Sequence, residues 1–197
     1  MFVAIDGPNG VGKTTTILAL VRLLEERGTK VCSVRQPSDT DLGRFIRQAE
    51  GRYDGLTLAA LVVAERVHLV DTVIRPALDE GQLVITDRHV ASTLALQQLD
   101  GLDIDLLWRL NAGVLQPDLS VFLDAPSSVL QQRLDHRGRT SRFEHVDDIS
   151  ARERRHFAEA AGLMREVGIR ILEVSTADQD HDAVASIIAA AIDAPAC

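Results

Sequence analysis

The sequence predicts an α/β domain, a doubly wound five-stranded parallel sheet with helices on both faces. Short apolar runs without polar alternation recur along the chain, as strands covered on both faces require. Longer stretches with helical spacing separate them. A glycine-rich loop lies between the first run and the first helix.

The elements follow in order. Residues 2–5 (FVAI) form the first run, which ends in Asp6 and the loop. From Thr14 onward the spacing is helical as far as Gly28, a residue suited to a helix C-terminus. Residues 31–34 (VCSV) then complete a βαβ unit of about minimum length. Residues 83–86 (LVIT) and 119–123 (LSVFL) are the third and fourth strands, and 169–174 (IRILEV), which alternates more, is the fifth. Helices are predicted within 57–80, 92–114, 127–136, 147–166 and 181–193. No repeat, low-complexity tract or linker interrupts this alternation, so one domain is expected over 1–197. Ligands of such sheets bind at the carboxyl ends of the strands. That directs attention to Asp6–Thr15, Arg35–Pro37, Asp87–Arg88, Asp124 and Ser175–Thr176.

With 46% hydrophobic and 25% charged residues, the composition is that of an ordinary globule, neither disordered nor fibrous. No segment is long and apolar enough to span a bilayer, and no basic-then-apolar leader is visible, so a cytoplasmic address without a membrane partner is expected. Cys32 and Cys197 stand apart and suggest neither a metal site nor a redox pair. A net charge of −8 argues against a broad grip on nucleic acid. Any anion must therefore be held locally.

Gly7–Thr14 (GPNGVGKT) matches G-x-x-x-x-G-K-[ST] in the required strand-to-helix context, a match that chance would give roughly once in a thousand such chains. Gly7, Gly10 and Gly12 let successive N–H groups turn inward as an anion nest, with Asn9 between them and a helix N-terminus behind. Only Lys13 and Lys30 among the 21 basic residues are lysines. Lys13 is expected to bridge the β and γ phosphates of a nucleotide, Thr14 to ligate Mg²⁺, and Thr15 to add a hydroxyl. A guanine-reading N-K-x-D is absent. After LVIT come Asp87-Arg88-His89, then Ser92, Thr93 and Gln97, so a carboxylate for Mg²⁺ and a guanidinium for a phosphate stand together at a strand end.

At this point the sequence resembles the thymidylate kinase family of P-loop nucleoside monophosphate kinases over nearly its whole length. Five blocks carry the likeness in order: AIDGPNGVGKTT, RQP with DLGRFIR, AERVHLVDTVIRPAL, ITDRHVASTLALQ, and PDLSVFLDAPSSVLQQRLDHRG with RFE. The resemblance implies transfer of the γ-phosphoryl group of ATP to a pyrimidine nucleoside 5′-monophosphate such as dTMP. It implies that Arg88 and Arg47 hold the acceptor phosphate, that Arg66 reads the base and that Asp87 serves the metal. It also places Arg133, Arg137, Arg139 and Arg142 around a lid near 133–146, with Arg137 and Arg142 the preferred catalytic pair beside Lys13 and Arg88. A homodimer is implied by the resemblance alone. Arg66, on a helix face beside Glu65, reads equally well as a surface ion pair, and without the surrounding block that reading is preferred.

Four positions depart from the family pattern. Val62 stands where an aromatic normally stacks on the base, and Leu96 where a tyrosine precedes the glutamine. Asn9 replaces an acidic loop residue, and Gln36 an acidic or aromatic residue before the proline. Thr93 and Gln97 are left as polar candidates for the base edge, with Ser92 beside them. Two alternatives to dTMP phosphorylation therefore stay open: a different or modified monophosphate, and a nucleotide-binding regulatory protein without efficient transfer.

Overall fold

The computed structural model describes residues 1–49, 51–138 and 148–194. Its sheet has the order β2-β3-β1-β4-β5 with every neighbouring pair parallel, as the sequence predicts. The strands are β1 (Phe2–Asp6), β2 (Val31–Arg35), β3 (Leu83–Asp87), β4 (Leu119–Asp124) and β5 (Ile171–Ser175).

Successive side chains of a strand face opposite ways, and both faces here are apolar and covered. Val3, Ile5, Ile85, Val121 and Leu123 pack with Leu20 and Leu24 of α1 (Lys13–Glu26), Leu130 of α7 (Ser127–Arg137) and Ile188 of α9 (His181–Asp193). Phe2, Val84 and Phe122 meet the other layer. That layer includes α3 (Gly55–Leu69), α5 (Val90–Leu96), α6 (Ile104–Leu110) and α8 (Ile149–Glu166). This double burial is why the inner strands read as continuous apolar runs. The edge strands β2 and β5 are only partly buried, and β5 alternates accordingly.

Two predicted helical stretches are broken. The stretch 57–80 ends as α3 at Leu69, passes through a π turn at Val70–Ile74 and resumes as α4 (Arg75–Asp79). Pro76, at the start of α4, lacks an N–H and its ring displaces the carbonyl one turn back, which explains the widened turn. The stretch 92–114 divides at Gly101, whose φ is +83°. Asp103 then caps α6 by accepting from the Asp105 and Leu106 N–H groups. A further helix, α2 (Asp41–Ala49), lies where no helix was predicted.

Candidate active site

The carboxyl ends of β1, β3 and β4 lie side by side, so the loops after them share one rim. At Gly7 (φ +150°) a Cβ would stand 2.3 Å from the Leu123 carbonyl oxygen of β4, so only glycine lets the loop leave the sheet there. Gly12 (φ +96°) precedes α1, and no side chain caps the helix. Its first-turn N–H groups are thus left for an anion. They face a cleft of about 460 Å³ lined by Asn9, Gly10, Gly12, Lys13, Thr14 and Thr15, with Arg133 and Arg137 from α7.

Lys13 is buried, and its Nζ donates to the Gly7 and Pro8 carbonyls at 2.9 Å each. Burial first, and then the Arg88 guanidinium, bring its pKa down to about 7. Arg133 donates to the Thr176 hydroxyl and carbonyl at 3.1 and 2.8 Å, bordering a smaller recess of about 280 Å³ with Thr15, Gln179, His181 and Val184. Arg139, Arg142 and the lid segment from 139 to 146 lie outside the described residues.

At the end of β3, Asp87 Oδ2 accepts from the Thr14 hydroxyl at 2.9 Å, while its buried Oδ1 has no partner among the described residues. Arg88 has φ +73°, an uncommon conformation for a bulky residue. Its N–H donates to the Ile5 carbonyl and its own carbonyl accepts from the Thr86 hydroxyl, which hold that turn. The turn points the guanidinium back across the rim, where it donates to Asn9 Oδ1 at 2.7 Å and to Ser92 Oγ at 3.2 Å. Ser92 in turn donates to Asp6 Oδ1 at 2.5 Å, and the His89 N–H donates to the same oxygen. Burial raises the Asp6 carboxyl despite these bonds.

On the other side of Arg88 lies a cleft of about 700 Å³, floored by Ser33 and Arg35 of β2 and walled by Gln36–Thr40 and Arg47. Arg47 donates to the Pro37 and Ser38 carbonyls and to Asp39, tying α2 to this wall. Gly43 completes the attachment, since a Cβ there would lie 2.1 Å from the Ser38 carbonyl oxygen. Thr14, Asp87 and Arg88 line both this cleft and the glycine-loop cleft. The two cavities therefore meet at those three residues.

Arg66 is only 1% exposed, which overturns the surface ion-pair reading. Its guanidinium donates to Gln36 Oε1, Asn111 Oδ1, the His89 carbonyl and Thr93 Oγ1 at 2.6–2.9 Å. Four of its five N–H groups are thereby engaged. Glu65 is also buried, accepting from the Ser38 N–H through Oε1. His89 is held near pKa 3 by burial and then by Arg66, hence neutral. Its Nε2–H donates to the Leu115 carbonyl and its Nδ1 accepts from Gln36 Nε2, a pattern that fixes the tautomer.

Of the residues expected at the acceptor, Gln36, Arg47 and Arg88 line the 700 Å³ cleft, and Asn9 and Ser92 accept from Arg88. Val62, Arg66, Thr93, Leu96 and Gln97, on or just after α3 and α5, do not line the 700 Å³ cleft. Arg66 instead donates to both Gln36 and Thr93. Sequence reasoning missed Asn111, Glu153 and Arg154. Arg154 clasps Asp124 with two bonds at 2.8 and 2.7 Å, giving that strand-end aspartate a partner. Glu153 binds Asn9 through both carboxylate oxygens at 2.6 and 2.7 Å. A signal for Glu153 was present: residues 149, 153, 156, 157, 160 and 164 form the helical stripe that α8 buries, and an acid falls on it.

A glycine-loop cradle on a parallel sheet, opening onto a second cleft across a shared Thr-Asp-Arg border, is the arrangement of a P-loop phosphotransferase. Residues 5–187 match the family model described as Thymidylate kinase. The chain is 33% identical to the probable thymidylate kinase of Thermococcus gammatolerans, over 93% of this chain and 94% of that one. It is 36% identical to the probable thymidylate kinase of Caldivirga maquilingensis, over 76% and 75% of the two chains. It is 37% identical to the thymidylate kinase of Clavibacter sepedonicus, over 75% and 72%. The chain belongs to the thymidylate kinase family and is a nucleoside monophosphate kinase.

Proposed function

We propose that this protein transfers the γ-phosphoryl group of ATP to the 5′-phosphate of dTMP, producing ADP and dTDP. The observation that carries the reading is the shared border: Thr14, Asp87 and Arg88 line both the glycine-loop cleft and the acceptor-side cleft. With ATP in the former and a monophosphate in the latter, an acceptor oxygen attacks the γ-phosphorus as the bond to the β,γ-bridging oxygen breaks. The names of the relatives favour dTMP as acceptor.

Lys13 neutralises the phosphate oxygens of the donor, and loop N–H groups orient them. Arg88, aided by Arg47, holds the acceptor phosphate. Arg133 and Arg137, with Arg142, close on the donor side and exclude water. Arg66 acts on the base side through the residues it holds, Gln36 and Thr93, of which Gln36 also lines the acceptor-side cleft. The acceptor is already an anion, so no general base is needed, and neutral His89 serves as a strut.

Thr14 and Asp87 fit a divalent cation, because Asp87 carries a buried oxygen without a partner beside the Thr14 hydroxyl. Mg²⁺ held there supplies neutralisation of charge on the phosphate oxygens. Among the described residues no larger cluster of metal-ligating side chains exists, and phosphate and water complete such a shell. Family membership further supports a homodimer in the cytoplasm, which light scattering and cell fractionation check. No described helix is long and apolar enough to cross a membrane.

The test is coupled ADP release with ATP and Mg²⁺ across dTMP, dUMP, dCMP, UMP, CMP, dAMP, dGMP and 5-substituted pyrimidine monophosphates. Preference for dTMP is expected. Preference for a 5-substituted monophosphate would transfer the assignment to that acceptor and make Val62 and Leu96 its cause. Silence throughout would overturn transfer altogether.

A further inference from the structure

Asn9 stands between two groups of opposite charge. Its backbone N–H donates to Glu153 Oε2 at 2.6 Å and its Nδ2 to Glu153 Oε1 at 2.7 Å. This clasp fixes which way the amide faces. The carbonyl oxygen turns from the carboxylate and accepts from Arg88 Nη2 at 2.7 Å. Glu153 is 1% exposed, and among the described residues the two Asn9 donors are the groups that satisfy it.

A buried carboxylate is costly unless its charge has a use or a partner. Here the nearest use is Arg88, one amide away, and the Glu153 charge also favours the protonated form of Lys13. Held from the other side by Ser92, Arg88 has its direction set by two acceptors, one of them oriented by Glu153.

We propose that Glu153 is a positioning residue for phosphoryl transfer: acting through Asn9, it aims the Arg88 guanidinium into the junction of the two clefts, and it dictates an amide at position 9. An aspartate at position 9 would set two carboxylates against each other across the distances that now carry hydrogen bonds. Exchanging the two chemistries keeps every bond. In N9D/E153Q, the backbone N–H at position 9 donates to the carbonyl oxygen of the new side-chain amide. The nitrogen of that amide donates to one oxygen of the new carboxylate, and the other carboxylate oxygen accepts from Arg88.

The inference rests on Arg88 holding the acceptor phosphate, so its test has one readout that needs turnover and one that does not. The full-length wild type, N9D, E153Q and N9D/E153Q are compared for kcat, for KM toward dTMP and toward ATP, for inorganic phosphate binding by calorimetry, and for thermal midpoint. Each single variant is expected to lose about tenfold in kcat/KM for dTMP with the KM for ATP little changed. The double variant is expected to return to within about threefold of wild type, and phosphate affinity to follow the same order. A double variant no better than the worse single one overturns the inference. So do losses that fall equally on ATP and dTMP and follow the thermal midpoint, which mark a merely structural clasp. A wild type that binds phosphate and obeys the swap without transferring phosphate to dTMP overturns the functional reading alone. One that shows neither turnover nor phosphate binding overturns both.

Discussion

Burial beside Arg88 gives Lys13 a pKa near 7, so around pH 8 most of the free protein holds a neutral amine at the centre of its anion cradle. Phosphate oxygens favour the ammonium, so nucleotide binding must draw a proton onto Lys13. Calorimetry of ATP binding near pH 8 in buffers of different ionisation enthalpy is expected to show uptake approaching one proton. The uptake should be absent in Lys13→Ala and should shrink near pH 6, where the wild-type lysine is already charged. Turnover of Lys13→Ala is expected to fall at least about 100-fold, because its charge matters most as the γ-phosphoryl group transfers. Lys13 itself was legible in the sequence, since its motif is local. Its two carbonyl partners were not, because a motif states residue types and spacing but not how far the loop closes on its own lysine.

Between the residue and the fold lies the wall of the larger cleft. The segment 36–40, α2 and α3 are tied together because Arg47 grips three successive residues, Glu65 accepts from Ser38, and Gly43 allows backbone to touch backbone. Gly43→Ala inserts a methyl group against a carbonyl that has no flexible end to yield. Its expected cost is about 3 kcal/mol in urea unfolding, with a raised KM for dTMP and an unchanged KM for ATP.

At this scale the sequence was legible for the inner strands, whose two covered faces leave continuous apolar runs, and for α1 and α9. It was less legible for α2. That helix keeps only Gly43, Ile46 and Ala49 buried among polar residues, so its apolar stripe is thin. The breaks at Val70–Ile74 and Gly101 were also hidden, because the apolar spacing continues past them and only Pro76 and Gly101 mark them. Gln36, Arg66 and Thr93 each stand out in the sequence, but the hydrogen bonds from Arg66 to the other two depend on tertiary placement across 30 and 27 residues.

Across the whole molecule, His89 links the layers. It stacks edge-on against Phe2 at 5.0 Å, bonds Gln36 after β2 and the Leu115 carbonyl before β4, and its own carbonyl holds Arg66. With a folded pKa near 3 against an ordinary 6.5, the unfolded chain takes up the proton first as pH falls. The stability this neutral ring confers is therefore whole above about 6.5 and is lost as pH falls toward 3. Asp6, whose carboxyl is raised by burial, works in the opposite sense, so the effect is read against a variant. Between pH 7 and pH 5 the wild type is expected to lose about 2 kcal/mol more unfolding free energy than His89→Gln.

The clasp on Asn9 comes from a residue 144 positions further along the chain. During synthesis at roughly 5–20 residues per second, the glycine loop therefore waits on the order of ten seconds for the carboxylate that orients it. A ribosome-bound chain owns the motif without owning the cradle. Fragments ending before α8 therefore carry the glycine loop without the clasp on Asn9.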